Sequence, residues 1–185
     1  LRRCLESLER QTARADLVVV DNGTGEGCGP MLRERFPAVT RVGLGENLGF
    51  GPALNRAILE LGEGPIVLLN DDAVAEPELI ERLLDDGTRA EMVAAVLLRE
   101  DDSSRIDSAG IVVDQTLMAS DYLAGAPVEA LSWASDPIGP TGGAALYDRD
   151  AFNAVGGFDE RIFLYYEDLD LALRIRQRGG GCVLA

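Results

Sequence analysis

Pro65-Ile66-Val67-Leu68-Leu69-Asn70-Asp71-Asp72-Ala73 decides how this chain is read. The apolar run Ile66 to Leu69 has the length and β-branched content of a buried strand, and it ends abruptly in one amide and two carboxylates. In open α/β sheets the carboxyl ends of strands form the edge where ligands sit. Two readings of Asn70-Asp71-Asp72 are open at this point. One is a turn and helix start, since Asn and Asp are good caps and Pro77 with Glu76 and Glu78 would begin the next helix. The other is a hard-cation site, with oxygen ligands holding a magnesium or manganese ion that also touches a phosphorylated substrate.

Working outward, Leu79, Ile80, Leu83 and Leu84 mark a following helix, and Met92 to Leu98 reads as another buried strand. Upstream, Ala53, Leu54, Ala57, Ile58 and Leu61 share one helical face that Gly62 and Gly64 close. Before it lie a strand at Val39 to Leu44, a short helix from Pro30 to about Phe36, and a strand Leu17 to Val20 stopping at Asp21-Asn22-Gly23-Thr24-Gly25. Leu1, Cys4, Leu5 and Leu8 fall on one face of an opening helix. This alternation predicts an α/β fold with a mostly parallel central sheet and helices on both faces. An α/β unit that opens inside a helix leads us to expect a first strand upstream.

Past residue 99 the rhythm breaks. Glu100 to Ile138 mixes charges, Gly and Pro around a short strand at Ile111 to Asp114 and carries the single Trp133. Such a stretch is either a functional loop or a mobile one. Order returns with a small-residue strand, Thr141 to Tyr147, and a helix, Arg149 to Val155, closed by Gly156-Gly157. Glu167 to Gln177 is a further helix with Leu169, Ala172, Leu173 and Arg176 on one stripe, widened by Leu171 and Ile175. Gly179-Gly180-Gly181 ends it, and Cys182 to Ala185 begins a strand.

With 185 residues, 46% hydrophobic and 26% charged, the chain suits one domain with a sizeable core. No apolar run approaches the roughly 18 to 20 residues of a membrane span, and a cytoplasmic location is the expectation. A formal charge of −15 argues against nucleic acid as a partner. There is no histidine, and Cys4, Cys28 and Cys182 form no CxxC pair, which sets aside zinc sites and Ser-His-Asp triads. The chemistry must run on carboxylates, amides, hydroxyls and main chain.

Three polar clusters qualify: Asp21-Asn22, Asn70-Asp71-Asp72, and Glu167-Asp168 with Asp170. Acids in a first helical turn are stabilised by the helix dipole, which accounts for the third cluster without any function. Alternatively, the preceding Phe163-Leu164-Tyr165-Tyr166 places these acids beside apolar surface, where desolvation would tune one of them as a general base. The glycines from Gly23 to Gly29 fail the dinucleotide pattern, because Cys28 stands at the third glycine and no acid follows about twenty residues on. Asn47 and Asn55 are a helix cap and an exposed polar residue, or amides that contact ribose or phosphate.

Taken in order, Val18-Val19-Val20-Asp21-Asn22-Gly23, Asn47-Leu48-Gly49-Phe50-Gly51, Leu68-Leu69-Asn70-Asp71-Asp72-Ala73, and Gly156-Gly157-Phe158-Asp159-Glu160 through Phe163-Leu164-Tyr165-Tyr166-Glu167-Asp168-Leu169-Asp170-Leu171 resemble the family 2 glycosyltransferases, and within them the rhamnosyltransferase-like branch. The resemblance implies one GT-A (nucleotide-diphospho-sugar transferase) domain over 1–185, lacking its first strand and its C-terminal end. It implies an inverting, metal-dependent transfer of a sugar from a nucleotide-diphosphate sugar to an acceptor hydroxyl, of the hexosyltransferase type, in cell-surface polysaccharide or glycolipid synthesis. Asp72 matches the metal-binding acid for Mg2+ or Mn2+. Asp21, Asn22, Asn47, Gly49, Asn70 and Asp71 match the donor side, and Asp168, with Glu167 before it, matches the pair whose Asp is the general base. Gly142 stands where relatives commonly carry Ser. The implied partners are the donor and a glycan or lipid-linked acceptor, with peripheral association at the inner face of the membrane through that acceptor. A non-catalytic nucleotide-sugar or glycan-binding module of the same fold is the alternative.

Overall fold

The strand β3 (Ile66–Leu69) divides its side chains between two cores, and the rest of the fold is built on that division. In this computed structural model, which describes residues 1–23 and 27–185, Ile66 and Leu68 face one core while Val67 and Leu69 pack on the other. Thr24 and Gly25 of the turn expected at Asp21 to Gly25 lie outside the described residues. A four-stranded sheet runs in the order β10 (Cys182–Leu184), β4 (Met92–Ala94), β9 (Ala144–Tyr147), β3. Strand β9 is antiparallel to both β3 and β4, whereas β10 is parallel to β4. Three strands therefore share one direction, as a mostly parallel sheet requires, and the reversed β9 sits between two of them. Before it in the chain, β1 (Val18–Asp21) and β2 (Thr40–Gly43) form a separate parallel pair.

Helices cover both faces. Ile58 of α3 (Phe50–Ile58), Phe152 of α5 (Arg149–Ala154), and Leu171, Ala172 and Ile175 of α6 (Glu167–Gln177) pack on Ile66, Leu68, Met92 and Tyr147. On the opposite face Leu83 of α4 (Leu79–Asp86) meets Val93, Ala144 and Leu146. Helices α1 (Arg2–Leu8) and α2 (Gly29–Arg35) close a smaller core around Leu5, Leu32 and Phe36, against which Val19 of β1 packs. Leu173, expected on the buried stripe of α6, is exposed, because the helix turns Leu171 and Ile175 toward the sheet instead.

The run Met92 to Leu98 does not make one strand. β4 ends at Ala94, and Leu97–Leu98 (β5) leaves the main sheet to pair with Ile106–Ser108 (β6) through an irregular register. Ile111–Val113 (β7) and Ala119–Asp121 (β8) form an antiparallel hairpin whose turn is held by the Asp114 carboxylate, which accepts from the N–H groups of Thr116 and Met118. Ile106, Ala109 and Ala130 give this region a core of its own. What reads in sequence as an irregular stretch is thus a folded annex on the main sheet.

Phe158, almost fully buried, fixes the connection from α5 to α6. Its ring meets Phe152, Tyr147 and Phe50 edge-on at centroid separations of 5.7, 6.3 and 6.4 Å. Phe158→Ala should lower the unfolding free energy by about 3 to 5 kcal/mol in denaturant titrations. A loss under about 1 kcal/mol would mean that this cluster is not the keystone of the main core.

Candidate active site

At the end of β3 the Ala73 N–H donates to the Asn70 carbonyl at 3.1 Å, so the expected turn is present. The expected cap is not. Helix α4 begins at Leu79 with no side-chain cap, and the Ile80 N–H is satisfied from afar by Gln11 Oε1 at 3.0 Å. Asp71 and Asp72 are exposed and spend nothing on capping that helix. Their oxygens, with that of Asn70, are the hard-donor set that magnesium or manganese prefers. Among the described residues no three acids or thiols gather closely enough to enclose a cation. An ion at this point could take one or two carboxylates from the chain, with the rest of its shell supplied by substrate oxygens.

The carboxylate of Asp21 closes β1 rather than following it. Its Oδ2 accepts from Arg41 Nη2 at 2.9 Å, from Arg41 Nε at 3.2 Å and from the Cys28 N–H at 3.2 Å. The Arg41 guanidinium is the main cause that holds this carboxyl below the usual carboxylate range. Parallel pairing sets Val19 beside Arg41 and Asp21 beside Gly43, which brings the arginine next to the acid on one face.

Asn22 reaches across to the loop that precedes α3. Its Nδ2 donates to Asn47 Oδ1 at 3.0 Å and to the Gly49 carbonyl at 2.9 Å, and its Oδ1 accepts from the Leu48 N–H at 2.9 Å. Asn47 Oδ1 also takes the Gly49 N–H at 2.9 Å. These two amides are engaged with each other and with the backbone of that loop. Gly49 has φ +92°, and a Cβ there would run into the Phe163 backbone, so this position requires glycine.

The next ties lead toward Asp168. The Phe50 N–H donates to the Phe163 carbonyl at 2.9 Å. Asn55 Nδ2 donates to the Phe158 carbonyl at 2.9 Å while its Oδ1 accepts from the Phe158 N–H at 3.0 Å. Asn55 is neither a cap nor an exposed polar residue; it imitates a strand partner for the loop before α6. Nothing in its sequence context signals that role.

Two consecutive tyrosines, Tyr165 and Tyr166, hold φ of 66° and 69°, a left-handed conformation that costs a non-glycine residue on the order of 1 to 3 kcal/mol. Through this reversal α6 opens with Glu167 and Asp168 aimed differently. Asp168 Oδ2 accepts from the Gly142 N–H at 3.0 Å and its Oδ1 from its neighbour Leu169 at 2.8 Å, and the residue lines an open cavity of about 260 Å³. Glu167 is 5% exposed, its Oε2 has no partner among the described residues, and burial pushes its carboxyl up. Desolvation thus falls on Glu167, and it comes from the core. The Phe163 to Tyr166 segment expected to supply it is itself exposed. Asp170 is paired with Arg174 at 2.6 Å along the helix.

Gly142-Gly143 joins two of the three clusters. While Gly142 donates to Asp168, the Gly143 carbonyl accepts from the Asn70 N–H at 2.9 Å. A Cβ on Gly142 would stand 2.8 Å from the Phe50 ring, so the Ser that relatives commonly carry here would require that ring to shift; the hydroxyl at this edge belongs to Thr141, in the cavity with Asp168.

The raised Glu167 carboxyl has a pH consequence. The native state binds this proton more tightly than the unfolded chain, so stability falls as pH rises through and above the ordinary value of 4.5. Glu167→Gln should therefore be more stable than the parent near neutral pH, with the gap closing below about pH 4, where the parent is protonated in both states. A gap of the opposite sign in urea titrations at neutral pH would contradict the uncompensated burial.

With this geometry in view, comparison with known proteins is informative. The sequence model described as Glycosyl transferase family 2 matches residues 1–156. N-acetylglucosaminyl-diphospho-decaprenol L-rhamnosyltransferase of Mycobacterium tuberculosis (strain ATCC 25618 / H37Rv) is 32% identical over 205 residues, covering 97% of this chain and 67% of that protein. The O-antigen biosynthesis protein RfbC of Myxococcus xanthus is 26% identical over 137 residues, covering 69% of this chain and 11% of that protein. Among solved structures, the mannosyltransferase PcManGT from Pyrobaculum calidifontis in complex with GDP-Man and Mn2+ superposes on all of this chain with a TM-score of 0.70 at 18% identity, and this chain spans 50% of it. GalNAc-T7 with UDP, GalNAc and Mn2+ gives a TM-score of 0.75 at 15% identity over 99% of this chain and 39% of its own. These likenesses establish the GT-A fold. No helix among the described residues is long and apolar enough to cross a membrane. The chain belongs to glycosyl transferase family 2.

Proposed function

We propose that residues 1–185 act as one GT-A domain that moves a sugar, with inversion, from a nucleotide-diphosphate sugar to an acceptor hydroxyl. The observation that carries this reading is the Gly142-Gly143 bridge, which sets Asp168 and the end of β3 on two successive residues of one backbone. Asp168 takes the proton of the acceptor hydroxyl, whose oxygen attacks the anomeric carbon. The bond from that carbon to the diphosphate oxygen breaks, and its electron pair leaves with the diphosphate. The Gly142 and Leu169 N–H groups orient the carboxylate and leave each oxygen a free lone pair for that proton.

On the donor side, Asp72 with Asn70 and Asp71 would hold a magnesium or manganese ion. Such an ion supplies positive charge to the leaving diphosphate. Asp21, fixed by Arg41, faces the nucleoside, and the Asn22-Asn47 lock shapes the Gly49 loop beside it. Glu167 is buried behind the base and acts on position rather than on substrate. Mn2+ and a nucleotide or nucleotide sugar named together in both solved structures support the donor and metal class. The named activity of the mycobacterial relative supports a rhamnosyl donor and an N-acetylglucosaminyl-diphospho-decaprenol acceptor; with a lipid-linked acceptor of that kind, the proposal includes peripheral association at the inner face of the membrane.

Calorimetric titration with a panel of nucleotide-diphosphate sugars should find one whose binding strengthens with manganese, and Asp72→Ala should weaken it roughly tenfold or more. Donor binding indifferent to both metal and Asp72 would refute the assignment. Asp168→Asn should lower kcat by about 10²- to 10⁴-fold while donor affinity holds, as removal of a general base requires. Retained turnover would move the base elsewhere.

A further inference from the structure

The reading above leaves the β7–β8 hairpin without a role, although it forms a wall of the cavity that holds Asp168. That cavity, about 260 Å³, is lined by Ile111 and the stretch Ala119 to Asp121 of the hairpin together with Thr141, Tyr165 and Tyr166. The register pairs Ile111 with Asp121, so the two face the same side of the hairpin, and the whole of β8 borders the cavity. Among the described residues nothing is hydrogen-bonded to the Asp121 carboxylate, the Thr141 hydroxyl or either phenol. The Asp114 carboxylate at the turn of the same hairpin is, by contrast, engaged with the Thr116 N–H.

The electrostatics separate the ligands this cavity could take. Its lining holds the carboxylates of Asp121 and Asp168 and no basic side chain. A diphosphate would be repelled there, so the charged part of the donor, and equally that of a diphosphate-linked acceptor, has to lie outside the cavity. A neutral ring bearing hydroxyls is suited: it offers donors to the carboxylates, and its C–H face can lie on an exposed phenol ring. The volume lies just below the roughly 300 Å³ at which drug-sized pockets begin, enough for one sugar ring.

We propose that Asp121, on the β7–β8 hairpin, is a binding residue for the acceptor sugar, accepting from ring hydroxyls other than the one that reacts, with Thr141 and Tyr165 completing the subsite. This rests on the glycosyltransferase reading and adds the wall that selects the acceptor. The test uses the nucleotide sugar found in the donor titration, a short-chain synthetic N-acetylglucosaminyl diphosphate lipid as acceptor, and donor hydrolysis as the acceptor-free reaction. Asp121→Ala should raise the acceptor KM roughly ten- to a hundredfold, with kcat and donor hydrolysis within about twofold of the parent. Asp121→Asn, which keeps one accepting oxygen, should recover part of that loss. An unchanged acceptor KM overturns the proposal, and so does a parallel fall in kcat and donor hydrolysis, which would place Asp121 in the chemistry or the fold. A parent protein that binds no nucleotide sugar overturns the underlying reading instead, and this inference with it.

Discussion

The whole site depends on the backbone of Gly142-Gly143, whose N–H holds Asp168 and whose carbonyl holds Asn70. The two groups to which the proposed reaction gives the base and the metal are thereby fixed to adjacent peptide units, which tolerate little relative motion. The arrangement follows from β9. Because β9 enters the sheet reversed, between β3 and β4, the residues that lead into it arrive at the edge where β3 ends. Both positions are closely approached: a Cβ at Gly142 would stand 2.8 Å from the Phe50 ring, and one at Gly143 2.7 Å from the end of the Leu97 side chain, so a larger residue at either would have to displace that neighbour.

The remaining cluster joins through α3. Asn22 at the end of β1 grips the loop before α3, the first turn of α3 holds the Phe163 carbonyl, and Asn55 in its second turn holds both backbone groups of Phe158. These are largely amide-to-backbone bonds, each of modest net value but costly to leave half-made away from water. The strain at Tyr165 and Tyr166 is tolerated because the loop before them is tied at Phe158 and Phe163. Side chains that read in sequence as ligand contacts for Asn22 and Asn47 are therefore committed to the scaffold, while Asp72, Asp121 and Asp168 project from it.

Much of this was legible in the residues. The helix Glu167–Gln177 and the strand Ile66–Leu69 lie where periodicity and the flanking breakers put them, and two of the three polar clusters, at Asn70 and at Asp168, are tied to one Gly142-Gly143 backbone. Strand direction was not legible. Ala144 to Tyr147 is buried on both faces, so it shows no alternation, and burial pattern carries no sign of which way a strand runs. The break between Ala94 and Leu97 was hidden for the same reason, in an unbroken apolar run. The roles of Arg41, Asn55 and Asp121 depend on partners that are distant in the chain or on strand register, neither of which local composition encodes. Asp121 in particular sits in a stretch whose charges and turn residues mask two short ladders and a core.

Chemically, the account assigns the reaction a single base on one side of the sugar and a metal-assisted leaving group on the other. Nothing in it uses a glycosyl-enzyme intermediate, so the anomeric centre is displaced once. The configuration of the transferred sugar's anomeric centre in the glycoside product, read by proton NMR, tests this most directly. Inversion relative to the donor is the predicted result. Retention, by two displacements or by attack from the face of the leaving group, would contradict the role given to Asp168.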